Sequence, residues 1–159
     1  MHIAMIGLGK MGANMTRRLL KGGHRVVVSD LNPEAIAAAV AEGAVAVGSL
    51  NDLPRSLAGP RVAWVMVPSG DPTERVIETL AEILSPGDVI IDGGNSNYKD
   101  SMRRAAFLEE KGLYFVDVGT SGGVWGLTEG YSMMVAGRRM IRFHLGSDVD
   151  ESLARWLVV

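Results

Sequence analysis

Apolar residues run along this chain in two rhythms. Some stretches are short and apolar almost throughout: HIAMIG (2–7), RVVVSD (25–30), RVAWVMVP (61–68), VIIDGG (89–94) and LYFVDV (113–118). Their length and composition fit strands buried on both faces. Between them the apolar positions recur every three or four residues. Residues 10–21 place Met11, Met15, Leu19 and Leu20 at helical spacing, with Arg17, Arg18 and Lys21 on other faces, and the glycines at 22–23 stop that helix. Asn32 as cap and Pro33 at the first position open a helix that EAIAAAVAEG carries to Gly43. A short AVAV strand follows, and Ser49 caps a brief helix. DPTERVIETLAEIL predicts a helix with Asp71 as cap and Pro72 at its first position, and SPGD predicts a turn. Residues 97–111 read as an amphipathic helix ending at Gly112, and YSMMVAG (131–137) as a last strand.

Buried strands alternating with helices predict an α/β fold, a doubly wound and mainly parallel sheet with helices on both faces. The bulk properties agree. The 159 residues are 47% hydrophobic, which suits one domain with a sizeable core. A net charge of −2 gives no reason to expect nucleic acid. Cysteine is absent, which removes thiol chemistry, and three scattered histidines predict no metal site. No apolar run nears the roughly 18 residues of a membrane span. The N-terminal stretch lacks a basic start and a cleavage site, so no membrane partner and a cytoplasmic location are expected.

Chemistry enters at GLGKMG: Gly7, Leu8, Gly9, Lys10, Met11 and Gly12. A G-x-G-x-x-G alone is weak evidence, but this one follows a strand and opens a helix within a βαβ unit, as in a Rossmann-type dinucleotide site. Gly7 allows the tight turn, Gly9 lets a pyrophosphate approach the backbone, and Gly12 permits close helix–strand packing. The helix N-terminus offers free N–H groups and partial positive charge to phosphates. Lys10 either helps with phosphate or is a solvated surface lysine. Met5, Met11, Met15, Met133 and Met134 read as packing residues. Asp30 ends the second strand 18 residues after Gly12, where a carboxylate takes the adenosine ribose hydroxyls and repels a 2′-phosphate. Leu31 follows it where an arginine would clamp that phosphate, so NAD is expected over NADP. The plainer alternative is that Asp30 only opens the Asn32-Pro33 turn.

Three further motifs sit at carboxyl ends of strands, where open α/β sheets bind ligands: WVMVPSG (64–70), IDGGNSNYKDS (91–101) and VDVGTSGGVWGLTEGYSMMVAG (116–137). With IGLGKMGANM they resemble decarboxylating 6-phosphogluconate dehydrogenase, particularly its shorter NAD-preferring bacterial branch, over residues 1 to about 137. DGGNS with SGG carries the specificity of that resemblance. It implies oxidation of 6-phosphogluconate at C3 with loss of CO2 to ribulose 5-phosphate. It implies Asn95 between nicotinamide and substrate, Ser121, Gly122 and Gly123 holding the sugar acid, and Val67 and Pro68 as the floor beneath the dinucleotide. Glycine N–H groups can crowd around a carboxylate or hydroxyl, and Ser121 adds a hydroxyl. The rival readings are an Asx-turn cap for Asn95 and a plain loop serine for Ser121. Trp125 reads as packing or a loop anchor; Asp92, Tyr98, Lys99 and Asp100 as helix-start residues; His24 and His144 as surface or capping groups.

Past Gly137 the sequence RRMIRFHLGSDVDESLARWLVV does not resemble the family's continuation. The family completes its nucleotide domain there and adds a helical domain with the lysine and glutamate that move protons, the phosphate grip and most of the dimer contact. The expectation is therefore a dinucleotide-binding domain over 1–137 and a divergent tail over 138–159, the chain being truncated, frameshifted or a natural short paralogue, with its acid and base groups missing and little turnover alone. A one-base shift at Met140-Ile141 would create the Asp that the family carries soon after this strand. SDVDESLARWLVV can itself form a helix capped at Ser147 or Asp148, with Leu153, Trp156 and Leu157 on one side. Two other readings stay open: a β-hydroxyacid dehydrogenase of the hydroxyisobutyrate type, and a non-catalytic NAD-binding module.

Overall fold

The computed structural model describes residues 1–137. The expected tail helix and His144 lie outside the described residues. Seven strands form one sheet in the order β3-β2-β1-β4-β5-β6-β7. They are β1 His2–Ile6, β2 Arg25–Ser29, β3 Val45–Ala46, β4 Val62–Val65, β5 Val89–Asp92, β6 Tyr114–Ser121 and β7 Ser132–Gly137. The helices are α1 Lys10–Lys21, α2 Pro33–Ala41, α3 Leu53–Ser56, α4 Asp71–Ile83 and α5 Tyr98–Glu110.

The apolar strands take the middle of the sheet because their side chains are buried on both sides. Ile3, Met5, Val26, Val28, Trp64 and Ile91 pack with Met15, Leu19 and Ala39 of α1 and α2. Ala4, Ile6, Val27, Ala63, Val65 and Ile90 pack on the other face with Leu53, Ile77, Leu80 and Leu108 of α3, α4 and α5. Period-two alternation along each strand divides its residues between two cores, and each core needs its own layer of helices. The doubly wound Rossmann-type architecture read from the pattern is the one found.

Several details differ from the sequence reading. The helix α4 is capped by the backbone of Gly70 at φ 93, with no side-chain cap, and Asp71 is already its first residue. Asn32, Ser49 and Asn97, by contrast, each accept a backbone N–H with their side chains. Asp92 does not start a helix. It ends β5 and is fully buried. The last strand β7 runs antiparallel to β6, with Ser121 opposite Ser132 and Gly119 opposite Met134. A parallel return needs a crossover of a dozen or more residues, and only 122–131 separates these strands.

The glycine-rich segment is thus mostly ordered as a hairpin. Its connection contains a 3-10 turn, Gly123–Leu127, that lies on α1. The Arg18 guanidinium donates to the Leu127 carbonyl at 3.0 Å, and Tyr131 is buried at 2% exposure. Burial pushes the Tyr131 phenol up in pKa, against the opposing pull of Asn14 and Arg18. Trp125 is 72% exposed and so is not a packing residue among the described residues. Met134 is also exposed, at 81%, because alternation on the edge strand turns Met133 inward and Met134 outward. Met5 and Met15 are buried, and Met11 packs against the core, as expected.

Gly126 faces the Tyr131 ring so closely that any Cβ there would overlap it. The Gly126→Ala substitution is expected to lower the free energy of unfolding by about 1–3 kcal/mol, measured by urea denaturation. An unchanged midpoint would show that the hairpin is not held on α1 through this contact.

Candidate functional site

The glycine turn is built by close approach. Gly7 adopts φ 98, and a Cβ there would collide with the Met66 carbonyl at the end of β4. Gly12 packs its Cα against the Gly7 carbonyl, with no room for a side chain. Gly9 differs from both. Its φ is −59, and a Cβ there would meet nothing within 4 Å. No local packing requires a glycine at that position, so the space above it is a cradle that a side chain would fill.

Gly9 is also the N-cap of α1. It brings no side-chain cap, and the first turn of α1 holds no acidic residue. The orphan N–H groups of this helix end are therefore free of side-chain partners and suit an anion. Leu8 is spoken for: its N–H donates to Asp30 Oδ2 in a very short contact. Asp30 Oδ1 accepts the Asn32 N–H at 2.7 Å. Asp30 thus opens the Asn32-Pro33 turn, as the plainer reading has it, and sets a carboxylate beside the glycine turn. Lys10 is exposed at the start of α1, and Leu31 is fully exposed.

Beside this turn the β4 end supplies Val67 and Pro68. Thr73, fully buried in α4, donates its hydroxyl to the Pro68 carbonyl at 2.9 Å and fixes that segment. A Cβ on Gly7 would stand 2.9 Å from Val67 Cγ1, and one on Gly94 would stand 2.8 Å from the Val67 carbonyl oxygen. Val67 is therefore wedged between the glycine turn and the DGGNS turn.

The DGGNS turn rests on a buried cation. Arg104 of α5, 1% exposed, donates through Nη1 to Asp92 Oδ2 at 3.0 Å and to Ser96 Oγ at 3.0 Å. Its Nε donates to Glu74 Oε2 at 2.8 Å. The other Asp92 oxygen accepts the Gly94 N–H at 3.0 Å. Arg103 reaches Glu74 from outside with paired bonds of 2.6 and 2.7 Å. Sequence reading missed Arg104, Glu74 and Thr73. Their signal is faint but present for Arg104, which shares a helical stripe with buried Ser101 and Leu108.

Asn95 sits at φ 55, a left-handed conformation. Its side-chain amide does not cap α5; Asn97 does that. Asn95 Nδ2 donates to the Thr120 carbonyl at 3.1 Å, and its Oδ1 accepts the Thr120 N–H at 2.8 Å. The amide acts as a peptide-like clip between the β5 turn and β6. One N–H and one acceptor lone pair of Asn95 remain for other partners. Asn95 and Ser96 line a cavity of about 320 Å³ with Asp117, Gly119, Met134, Val135 and Ala136. Ser121, Gly122 and Gly123 follow Thr120 directly but do not line that cavity. A larger apolar groove of about 740 Å³ between α5 and the β6–β7 edge contains none of the expected site residues. Among the described residues no cluster of side chains suits a metal ion, and no described helix is long and apolar enough to cross a membrane.

The turns after β1, β4 and β5 and the end of β6 therefore meet at one end of the sheet. Residues 2–148 match the family described as the NAD binding domain of 6-phosphogluconate dehydrogenase. The chain belongs to that family. It is 42% identical over 137 residues to the NAD(+)-dependent, decarboxylating 6-phosphogluconate dehydrogenase of Haloferax volcanii, covering 86% of this chain and 45% of that protein. The enzyme of the same description from Bacillus subtilis is 40% identical over 141 residues, covering 86% of this chain and 30% of that protein. The chain thus spans less than half the length of either relative. Among solved structures, Plasmodium falciparum 6-phosphogluconate dehydrogenase superposes with a TM-score of 0.84 at 27% identity, covering all of this chain and 34% of that one. Mycobacterium tuberculosis 3-hydroxyisobutyrate dehydrogenase gives 0.82 at 28% identity, covering 99% of this chain and 52% of that one. The hydroxyisobutyrate type shares the fold, while the family match and the higher identities lie with 6-phosphogluconate dehydrogenase.

Charge in the DGGNS support makes it sensitive to acid. The Arg103 hydrogen bonds, helped by Arg104 and opposed by burial, lower the Glu74 carboxyl from 4.5 to about 2. A carboxyl lowered on folding contributes stability that is full above its unfolded pKa and is lost as pH falls through its folded one. The Glu74→Gln variant is expected to be about 1–3 kcal/mol less stable than the parent at pH 7. That gap should close as pH falls from 4.5 towards 2. Urea denaturation across this range checks it, and a gap that stays constant would contradict the assignment.

Proposed function

We propose that this chain is the dinucleotide-binding part of a decarboxylating 6-phosphogluconate dehydrogenase that prefers NAD to NADP. The observation that supports the preference most strongly is the placement of Asp30. Its two oxygens are tied to the Leu8 and Asn32 N–H groups, so its charge is fixed beside the glycine turn. There it can accept from the adenosine ribose hydroxyls and would repel a 2′-phosphate. Leu31 beside it offers no cation. The Haloferax and Bacillus relatives are NAD(+)-dependent, whereas the Plasmodium enzyme takes NADP+.

The donor set suits such a cofactor. The uncapped N-terminus of α1 and the open cradle over Gly9 would hold the pyrophosphate, Lys10 and Met11 would flank it, and Val67 and Pro68 would lie beneath the dinucleotide. Bound NAD supplies the hydride acceptor for oxidation of the sugar acid at C3. Asn95 would then orient both partners with its remaining N–H and lone pair. It holds no titratable proton, so its role is alignment. Ser121, Gly122 and Gly123, next in the chain after the clipped Thr120, are the proposed sugar-acid contacts.

Calorimetric titration of the chain tests the cofactor reading. NAD is expected to bind at least about tenfold tighter than NADP, a gap of about 1.4 kcal/mol, and Asp30→Ala should narrow it. NADP preferred by the unaltered chain would overturn the assignment. A second variant separates binding from folding. A side chain at Gly9 points into open space, so Gly9→Val should abolish NAD binding while the thermal midpoint and far-UV circular dichroism hold. Unchanged affinity would mean that the pyrophosphate does not pass over Gly9.

A further inference from the structure

The geometry points to Arg104 as a positioning residue for the nicotinamide half of the dinucleotide, an inference that rests on the dinucleotide reading above. Arg104 lies behind the site and touches no open surface, being 1% exposed. One nitrogen, Nη1, bonds both Asp92 and Ser96 at 3.0 Å each, and these residues bracket the DGGNS turn. Between them Gly94 is pinned to Asp92 and Asn95 is held at φ 55, with its amide on Thr120. Through Nε the same guanidinium holds Glu74 in the first turn of α4. That turn also carries Thr73, whose hydroxyl fixes the Pro68 carbonyl. One cation thus sets the relative positions of the segments after β4 and β5, and Asn95 passes that placement to β6.

Burying a guanidinium and a carboxylate is not an efficient way to stabilise a fold, since well-packed apolar residues often do as well or better. A planar fork that reaches three acceptors does something that apolar residues cannot, because it fixes directions. The position within the sheet says which half of the ligand depends on it. A dinucleotide spans the crevice at the strand-order reversal, with the adenylate on the side of β1, β2 and Asp30. The other nucleotide falls over β4, β5 and β6, the segments that Arg104 organises.

The test compares NAD with ADP, which keeps the adenylate and pyrophosphate but lacks the nicotinamide ribose and ring. Loss of one hydrogen bond in Ser96→Ala should raise the Kd for NAD about three- to tenfold and leave that for ADP unchanged. Ser96→Thr, which keeps the hydroxyl, should restore NAD affinity. Arg104→Lys keeps a charge but not the fork, and should widen the NAD loss further with ADP still unaffected. A merely structural role would weaken both ligands together or neither, and either result overturns the proposal. If the unaltered chain bound neither NAD nor ADP, the dinucleotide reading would fail and this proposal with it. If it bound both and the variants left the ratio unchanged, only the role of Arg104 would fail. Amide hydrogen exchange provides a second readout. Ser96→Ala should speed exchange at Gly94 and Thr120 without changing Val27 in β2, and protection retained at Gly94 and Thr120 would contradict the positioning role.

Discussion

Strands β1 and β4 lie side by side at the centre of the sheet, yet the helices that follow them leave for opposite faces. Helix α1 joins the core built on Met5 and Val26; helix α4 joins the one built on Ala4 and Val65. Two chains diverging from adjacent strand ends cannot close the space between them. The β1 turn pulls in against β4 only because Gly7 and Gly12 have no side chains to hold the backbones apart. The crevice follows from this reversal in the strand order, and the N-terminus of α1, capped by Gly9 with no side chain, opens beside it.

Around that crevice the structure uses two kinds of support. On the side of β1 and β2 it is backbone geometry fixed by one carboxylate, Asp30, which ties the glycine turn to the start of α2. On the other side it is side-chain geometry fixed by one buried guanidinium, and the Asn95 clip carries it to Thr120. The first is nearly self-contained within a βαβ unit. The second joins residues from α4, β5, α5 and β6, and the hairpin beyond Thr120 is braced in turn on α1 by Tyr131 and Arg18. The guanidinium lies beneath the surface, 1% exposed, whereas Asp30 is half-buried and reaches that surface.

Much of this was legible in the sequence. The strands, the helices and the glycine turn follow from local pattern, because period and composition are properties of contiguous residues. The roles of Gly7 and Gly12 are those the fingerprint implies, and the family membership is the one its motifs resemble. What sequence could not supply was pairing at a distance. Asp92 looked like a helix-start residue until α5 placed Arg104 over it. The rival reading of Asn95 as a cap fails because Asn97 takes that role, and the bond of the Asn95 amide to Thr120 was not legible. By sequence the strand ends at Val118, yet pairing with β7 carries β6 on through Ser121. Met134 read as packing by type alone, and its place on the edge strand turns it outward; Trp125 read as packing or a loop anchor, and its side chain is exposed.

On the proposed function, a dinucleotide enters at this end of the sheet and at no other surface. Nuclear magnetic resonance of the isotope-labelled chain during titration with NAD tests it residue by residue. Amide shifts are expected at 7–13, at 30–32, at 67–70 and across 92–96, with the strands' opposite ends unmoved. Shifts confined to the groove between α5 and β6, near Met102 and Leu113, or no shifts at saturating NAD, would contradict the account.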